Sequence, residues 1–583
     1  MLLVARGVAV ALSFVLLSSP PLLQTWVGGD TRAYIAATIA IAILNLVLVI
    51  SWKAPVSGLA KAVDRPAEAG RYVITGAVAA CAGWMLLIAC HAWLHQILTI
   101  PHDPQRADML IVVQQGLQRM LQGRNPYIIY HVPWDAPLPY GPMLWGPYVI
   151  PLALHADVRF LTVAGELFVP VACAVAAAVS AARGRLAACA ACLLMLAAMC
   201  LNPDLERFAS IGHTPVYWPL LALFAWLVTS ERWFASAIAL GLLVVARTTM
   251  VAIVPVWLMA VWWRERAKLP GALALVMLAA TTPFLPFAIW DPRALAYALY
   301  GSYENVIKGF VWTSTTWTQH TIGLTGVLLS NGWQRFVEPF QWMVMLAVYL
   351  ACWQLMRRGR APIASMGLAL LAFSMTTLWP VTYVYFDVFL LFAAAVIADA
   401  VRSEADQRPP LACWLTSFTS FTATAAATSL LVVGHAAVML SDNPVVDAGT
   451  AAARPLLRSG FADDENDGVR TFAWVEGRHA SILLPRRTTR DAVIDVDCQP
   501  ALPTAASVQQ MSAVLNGAVV GTAVLAGGWH RVSLDAPARA WRIGVNELEL
   551  FLSSSESPLD AGLGADRRSL SVAIDRVAVR PSP

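Results

Sequence analysis

The chain has 583 residues, of which 58% are hydrophobic and 13% charged, and a formal net charge of +4. A soluble chain carries about 25% charged residues, so this composition, with a mean hydropathy of +0.62, argues against a cytosolic multidomain enzyme and for a polytopic membrane protein. Lys occurs only at 53, 61, 268 and 308 and the remaining positive charge is Arg, in short clusters between apolar runs; no basic stripe for nucleic acid results.

A hydrocarbon core about 30 Å thick needs roughly 20 apolar residues as helix. Runs at 7–26, 34–52, 72–97, 159–181, 186–202, 214–230, 233–246, 248–263, 270–290, 339–357, 362–379, 381–401 and 411–437 read as about thirteen spans. The first, preceded by Arg6, fits a signal peptide or an uncleaved anchor, and the lack of a clear small-residue cleavage site before Trp26 favours the anchor. The pair 233–246 and 248–263 is short and joined through Arg247, as two half-spans or one broken helix. Clusters at Lys53, Lys61, Arg65 and Arg71, at Arg183 and Arg185, at Arg232, at Arg264, Arg266 and Lys268, at Arg357, Arg358 and Arg360, and at Arg402 and Arg408 all fall on one face if the N-terminus is cytoplasmic. The charged tail beyond Val438 then lies outside. The nine Cys lie mostly in apolar runs, and neither a disulfide framework nor a zinc spacing follows.

Residues 1–438 thus form a membrane module with two long outer loops, 98–158 and 291–338, each longer than a mere connection. The first holds an amphipathic stretch from Asp108 that reads as a surface helix, then Gly123-Arg-Asn-Pro-Tyr127, then Pro137-Leu-Pro-Tyr-Gly-Pro142 leading into 143–155, which is apolar, Pro-broken and too short to span. Ionisable groups facing lipid cost several kcal/mol, so chemistry is sought among the few outer-face polar residues: Asp103, Asp108, Asp204, Glu206, Arg207, His213, Arg247, Asp291, Arg293, Glu304, Lys308, His320, Tyr383, Tyr385 and Asp387. Each has a duller use. Asp108 suits a helix N-terminus; Arg247 suits snorkelling or pairing with an internal carboxylate; His213 suits a cap or the surface; Tyr383, Tyr385, Trp312, Trp317 and Trp333 suit an interfacial aromatic belt.

The ordered set Asp108, Gly123-Arg-Asn-Pro-Tyr127, Tyr140-Gly-Pro142, Gly212-His213, Arg247 and Trp379-Pro-Val-Thr-Tyr383 resembles the GT-C membrane glycosyltransferases, and most nearly glycosyltransferase family 87, the mannosyl- and arabinosyltransferase-like enzymes that use polyprenyl-phosphate sugars. The resemblance covers roughly residues 70–400. It implies inverting transfer without a nucleotide or metal cofactor, from a polyprenyl-phosphate sugar to a glycan, lipid or protein acceptor on the outer face of the membrane; the scarcity of Lys and the sandwich tail after about thirteen spans point to a bacterial inner membrane. In that scheme a carboxylate takes the acceptor proton, a role the resemblance gives to Asp108, with Asp103 as its neighbouring competitor. Cationic groups hold the departing phosphate: Arg247, with His213 and His320. Asn125, Tyr127, Tyr140, Tyr383 and Tyr385 line the substrate pocket. The sequence departs from the family at His213, where Gln is usual, and at Thr382-Tyr383, where Ser-Trp is usual.

Residues 439–468, including Asp463-Asp-Glu-Asn-Asp467, read as a solvated linker. From Val469 the pattern turns to period two, at Leu548, Leu550 and Leu552 and again at Val572, Ile574, Val577 and Val579, with Asn516-Gly517 as a hairpin signal. The expected fold of 469–583 is an all-β sandwich. Gly528-Trp529 to Leu534, Gly544 to Leu550 and Asp566-Arg-Arg568 resemble jelly-roll, galactose-binding-like modules, in which Trp529 and Trp541 are candidates for stacking on a sugar. The competing functions are a transporter, which calls for repeated halves and discontinuous helices, and a lipid-linked glycan polymerase or ligase, which calls for more outer-loop Arg than Arg293 and Arg335.

Overall fold

The computed structural model describes residues 2–18, 31–51, 68–101, 104–132, 135–313, 323–378, 382–401, 410–501 and 508–582. The side chains of a few residues inside those ranges, Asp108 among them, lie outside the described set. The chain forms two compact units. One comprises Met1–Ala92, Pro104–Tyr148 and Leu161–Leu431; the other comprises Trp93–Asp103, Val149–Phe160 and Val432–Pro583.

The first unit is mostly helical, and the apolar runs read from the sequence are its helices. Thirteen spans are not what the described residues give. Five helices are long and apolar enough to cross a membrane: Gly70–Thr99, Arg159–Ala182, Thr248–Trp290, Gln334–Arg357 and Phe421–Met439. A sixth results if Leu186–Cys200 and Pro203–Ile211, bent by 55°, count as one. Six further apolar helices have 10–17 residues, short of the roughly 20 that a span needs. Proline accounts for much of the shortening. Pro203, Pro215, Pro219 and Pro362 each sit in a first helical turn, where a missing N–H is harmless and from which the helix cannot extend backward. The reverse error occurs at 248–263 and 270–290, which join through short 3-10 turns into one 43-residue helical run.

The first long loop holds the expected helix, Pro104–Leu121. It stops at Gly123, whose φ of +71° lets the Arg124 amide reach the Arg119 carbonyl at 3.0 Å; this is the glycine-terminated helix end that a Cβ would strain. A two-stranded hairpin follows, β1 (Ile129–His131) against β2 (Asp135–Pro137). Residues 143–155 form only short turns of helix, Pro142–Trp145, Gly146–Tyr148 and Val149–Ala153.

The second unit is built around a sandwich of antiparallel sheets. Strands β10 (Ala518–Leu525), β9 (Gln509–Leu515), β12 (Gly544–Leu552), β7 (His479–Arg486) and β4 (Leu457–Ser459) form one sheet in that order. The other runs β11 (His530–Ala536), β8 (Ala492–Pro500), β13 (Leu570–Pro581), β6 (Thr471–Glu476) and β5 (Phe461–Asn466), with β3 (Val445–Asp447) also paired to β13. Ile482, Leu484, Leu548 and Leu550 face Ile494, Val496, Ile574 and Val577 in one core. Asn516 and Gly517, with φ of 49° and 84°, make the two-residue turn between β9 and β10. The shift from even to odd buried positions in β13 has a cause: the register slips between Ile574 and Arg576, and a bulge moves every later side chain to the opposite face. The linker reading of 439–468 is corrected. Three strands lie within it, and the acidic run 463–466 belongs to β5, an edge strand whose carboxylates are largely exposed.

The second unit also contains a buried ion pair. Arg159, fully buried, lies against Asp157, Nη2 to Oδ2 at 2.6 Å, and donates from Nη1 and Nη2 to the Ile100 and Ile97 carbonyls at 2.6 and 2.8 Å. The Asp157 amide donates to the Ile543 carbonyl, and the Ile543 amide to the His155 carbonyl, both at 2.8 Å. These bonds tie the segments 93–103 and 149–160 to the turn before β12.

Candidate functional site

The helix Trp233–Ala246 ends at Arg247, which has extended backbone angles (φ −147°, ψ 121°) and is followed by the 3-10 turn Thr248–Ile253. Pro255 in the next helix, Val254–Glu265, prevents α-helical hydrogen bonding from running through the junction. The break turns the Arg247 side chain toward a buried carboxylate, Asp387, in the first turn of Phe386–Val401. Arg247 Nη1 lies 3.2 Å from Asp387 Oδ2 and donates to Tyr217 Oη at 2.9 Å. Tyr217 Oη in turn lies 2.7 and 2.9 Å from the two Asp387 oxygens and donates to them. Trp218 Nε1 donates to Asp387 Oδ1 at 3.1 Å. Asp387 is thus fully engaged. Among the described residues, the hydrogen bond and the ion pair of Arg247 both run through Nη1. Its guanidinium sits 5.4 Å from the centroid of the Tyr383 ring.

His213 follows the helix Pro203–Ile211, which Asn202 caps by accepting from the Asp204 and Leu205 amides. The chain must turn at Gly212, where a Cβ would come within 2.8 Å of the Phe208 carbonyl. The His213 ring, 6% exposed, packs 4.5 Å from the Tyr140 ring, and its Nε2 has no hydrogen-bond partner among the described residues. It stands at the N-cap position of the 3-10 turn Thr214–Tyr217, but its side chain makes no capping bond there, and its burial rules out a surface residue. Gly141, in the Tyr140-Gly-Pro142 segment, passes so close to the Val245 carbonyl that a Cβ would lie 2.0 Å from it. That approach sets Tyr140 beside the chain leading to Arg247.

The remaining sequence candidates divide. Arg247, His213, Tyr140 and Tyr383 belong to this neighbourhood. Tyr127 is a packing residue: its hydroxyl donates to the Tyr140 carbonyl at 3.1 Å, and its ring meets Trp145 and Phe287. Asn125 makes the local turn, accepting from the Tyr127 amide at 3.0 Å. Tyr385 is fully buried, with its hydroxyl 2.9 Å from Met375 Sδ, so it belongs to the interior and not to a belt. Trp312 is likewise interior, its Nε1 donating to the Leu378 carbonyl. Lys308 is held by Glu304 and Glu338, each at 2.7 Å, and Asp291 caps Pro292–Ala296. The backbone of Asp108 lies in Pro104–Leu121, but its side chain, together with Asp103, His320, Trp317 and Trp379, is outside the described residues. Sequence reading left Tyr217 and Trp218 unassigned; their one signal is a Tyr-Trp pair just before Pro219 at the head of an apolar run.

In the second unit, Trp541 is 2% exposed, donates to the Ala536 carbonyl and carries Arg486 over its ring, so it is core and not a sugar platform. Trp529 is half-buried, with Phe472 at 5.6 Å and Arg470 at 5.1 Å from its ring.

No protein-family model matches the chain. No curated protein matches it either. Among solved structures, the C-terminal all-β part resembles carbohydrate-binding modules. The CBM36-1 domain of a multidomain xylanase from the hindgut metagenome of Trinervitermes trinervoides matches at 10% identity and a TM-score of 0.17, over 24% of this chain and 98% of that one. A CBM36 module in complex with calcium and xylotriose matches at 13% and 0.15, over 23% and 98%. Dimeric latent PorU from Porphyromonas gingivalis matches at 13% and 0.15, over 24% of this chain and 13% of that one.

Proposed function

We propose that the chain is an integral membrane glycosyltransferase, which moves a sugar from a polyprenyl-phosphate donor to a glycan or lipid acceptor on the outer face of a bacterial inner membrane, with inversion. The observation that carries this reading is the Arg247 site. A guanidinium held at one nitrogen by Tyr217 and Asp387 has its orientation fixed, and a planar fork so held suits two-point binding of a phosphate oxygen pair. His213 Nε2, buried and unpartnered, supplies a further polar group on the same neighbourhood, and Tyr140 and Tyr383 supply ring faces.

In the reaction, the acceptor hydroxyl attacks the anomeric carbon, its proton passes to a carboxylate, and the glycosyl–phosphate bond breaks with the electron pair going to the phosphate. Arg247 stabilises that developing charge. Asp108 takes the proton, a role resting on the resemblance of the Asp108 to Pro142 segment. The N-terminus is cytoplasmic and the sandwich extracytoplasmic, by the distribution of Arg and Lys.

A second reading as a transporter draws on one feature, the helix interrupted at Arg247 beside a buried ion pair, since interrupted helices accompany transport sites. Membranes carrying wild type, Asp108→Asn or Arg247→Gln, incubated with a panel of polyprenyl-phosphate sugars, separate the two. Transfer by wild type and its loss in both variants at equal abundance supports the enzyme. Full transfer in Asp108→Asn removes that residue as base, and absence of transfer together with substrate flux in vesicles supports the transporter.

A further inference from the structure

Glu166 lies in the apolar helix Arg159–Ala182, is fully buried, and neither of its oxygens accepts a hydrogen bond. Nothing in the proposed transfer uses it. A buried carboxylate without a partner is among the costliest groups a fold can carry, and inside a membrane helix it marks function.

Its surroundings are rich in oxygen. Thr162, one turn before Glu166 and on the same helix face, donates to the Gly212 carbonyl at 2.9 Å and bonds Tyr148 Oη at 2.9 Å. Tyr148 Oη also donates to the His213 carbonyl at 3.2 Å. Gly165 lies so close to Pro215 that a Cβ would be 2.2 Å from its carbonyl. This face of the helix therefore packs on residues 212–215, where the chain leaves the helix Pro203–Ile211 at Gly212 and His213 and Thr214 opens a 3-10 turn; among the described residues, Thr214 Oγ1 is buried there without a partner. Two carboxylate oxygens and the Thr214 hydroxyl are unpartnered, the carbonyls keep a spare lone pair each, and among the described residues no basic side chain pairs with Glu166. Unwound backbone carbonyls and helix C-terminal ends coordinate sodium ions or protons in transporters, and Gly212 and His213 form such a break after the helix Pro203–Ile211.

We infer that Glu166, with Thr214 and the 212–215 turn, binds a dehydrated monovalent cation, sodium or potassium. The ion neutralises Glu166 and pins the turn that carries His213 and Tyr217 toward Arg247. This site does not depend on sugar transfer, and its test reads binding alone.

The full chain in detergent is unfolded thermally in sodium, potassium or choline chloride at constant ionic strength. The wild-type midpoint rises with the logarithm of sodium or potassium concentration and does not respond to choline. Glu166→Gln abolishes the response while keeping the midpoint in choline at or above that of wild type. Binding of radioactive sodium, or of rubidium in place of potassium, to the wild-type chain is saturable and competed by the same unlabelled salts. Absence of saturable binding, a midpoint that follows pH but no cation, or a cation response surviving in Glu166→Gln overturns the inference; the second outcome means that a proton alone neutralises Glu166.

Discussion

Arg247 and Asp387 meet at 3.2 Å inside the helical unit, and Tyr217 bonds both. The two charges come from helices distant in sequence, each placed by a local irregularity: a helix that stops at Arg247 and a 3-10 turn, Thr382–Tyr385, that delivers Asp387 into a first helical turn. Removing one member of a buried pair strands the other, at a cost of about 3–5 kcal/mol. Asp387→Ala is expected to lower the thermal midpoint of the full chain markedly. Arg247→Lys is expected to keep the fold and lose most transfer, because an ammonium is a point charge and cannot span two phosphate oxygens. A thermal melt and a transfer assay on the same preparations check the pair.

Gly141 gives a test that touches no charged group. A methyl group added there must displace the Val245 carbonyl, and overpacking of this kind costs about 1–3 kcal/mol. Gly141→Ala is expected to reduce activity more than stability, because the displaced backbone lies next to Arg247. Gly146, where an added Cβ meets nothing within 4 Å, is the control: Gly146→Ala leaves both unchanged.

Arg159→Ala leaves the Asp157 carboxylate buried and the Ile97 and Ile100 carbonyls without their donor. The expected loss is again about 3–5 kcal/mol, read as faster hydrogen exchange at the Asp157 and Ile543 amides. Unchanged exchange at both amides contradicts the role given to the pair.

The sandwich is expected to weaken in acid. Bonds from Arg568 hold the Asp566 carboxyl below the usual range, and Arg487 does the same for Asp442. Burial pushes Asp495 up, but Arg580 and Ser533 outweigh it and its carboxyl is also held low. Groups whose folded value is depressed contribute stability above the unfolded value, near 3.9 for Asp, and lose it as pH falls through the lower folded value. Exposed pairs are screened by solvent and each contributes little, so the effect is a gradual fall below about pH 4. Asp495→Asn should flatten the dependence of sandwich hydrogen exchange on pH between 5 and 2.

What was legible in the sequence was local. Period-two burial in Leu548, Leu550 and Leu552, the Asn516-Gly517 turn and the amphipathic helix through Asp108 follow from backbone chemistry that a few neighbouring residues decide. The strands at 445–466 were not legible, because an edge strand such as β5 carries Asp and Glu outward and hides its pattern. Span lengths misled because hydropathy does not register 3-10 turns at Pro. The site was half visible: Arg247 and His213 stand out as polar residues among apolar ones, whereas the ties to Tyr217, Trp218 and Asp387 are made only by packing distant segments together.

The pairing of Asp157 with Ile543 also dictates an order of events during synthesis. Residues 93–103 and 149–160 leave the ribosome early, yet the hydrogen bonds that complete their unit come from a turn near the chain's far end. Contacts of such long sequence separation form late. The helices between them are therefore made while those early segments still lack their partners, and the second unit closes only after the strands around Ile543 have been synthesised.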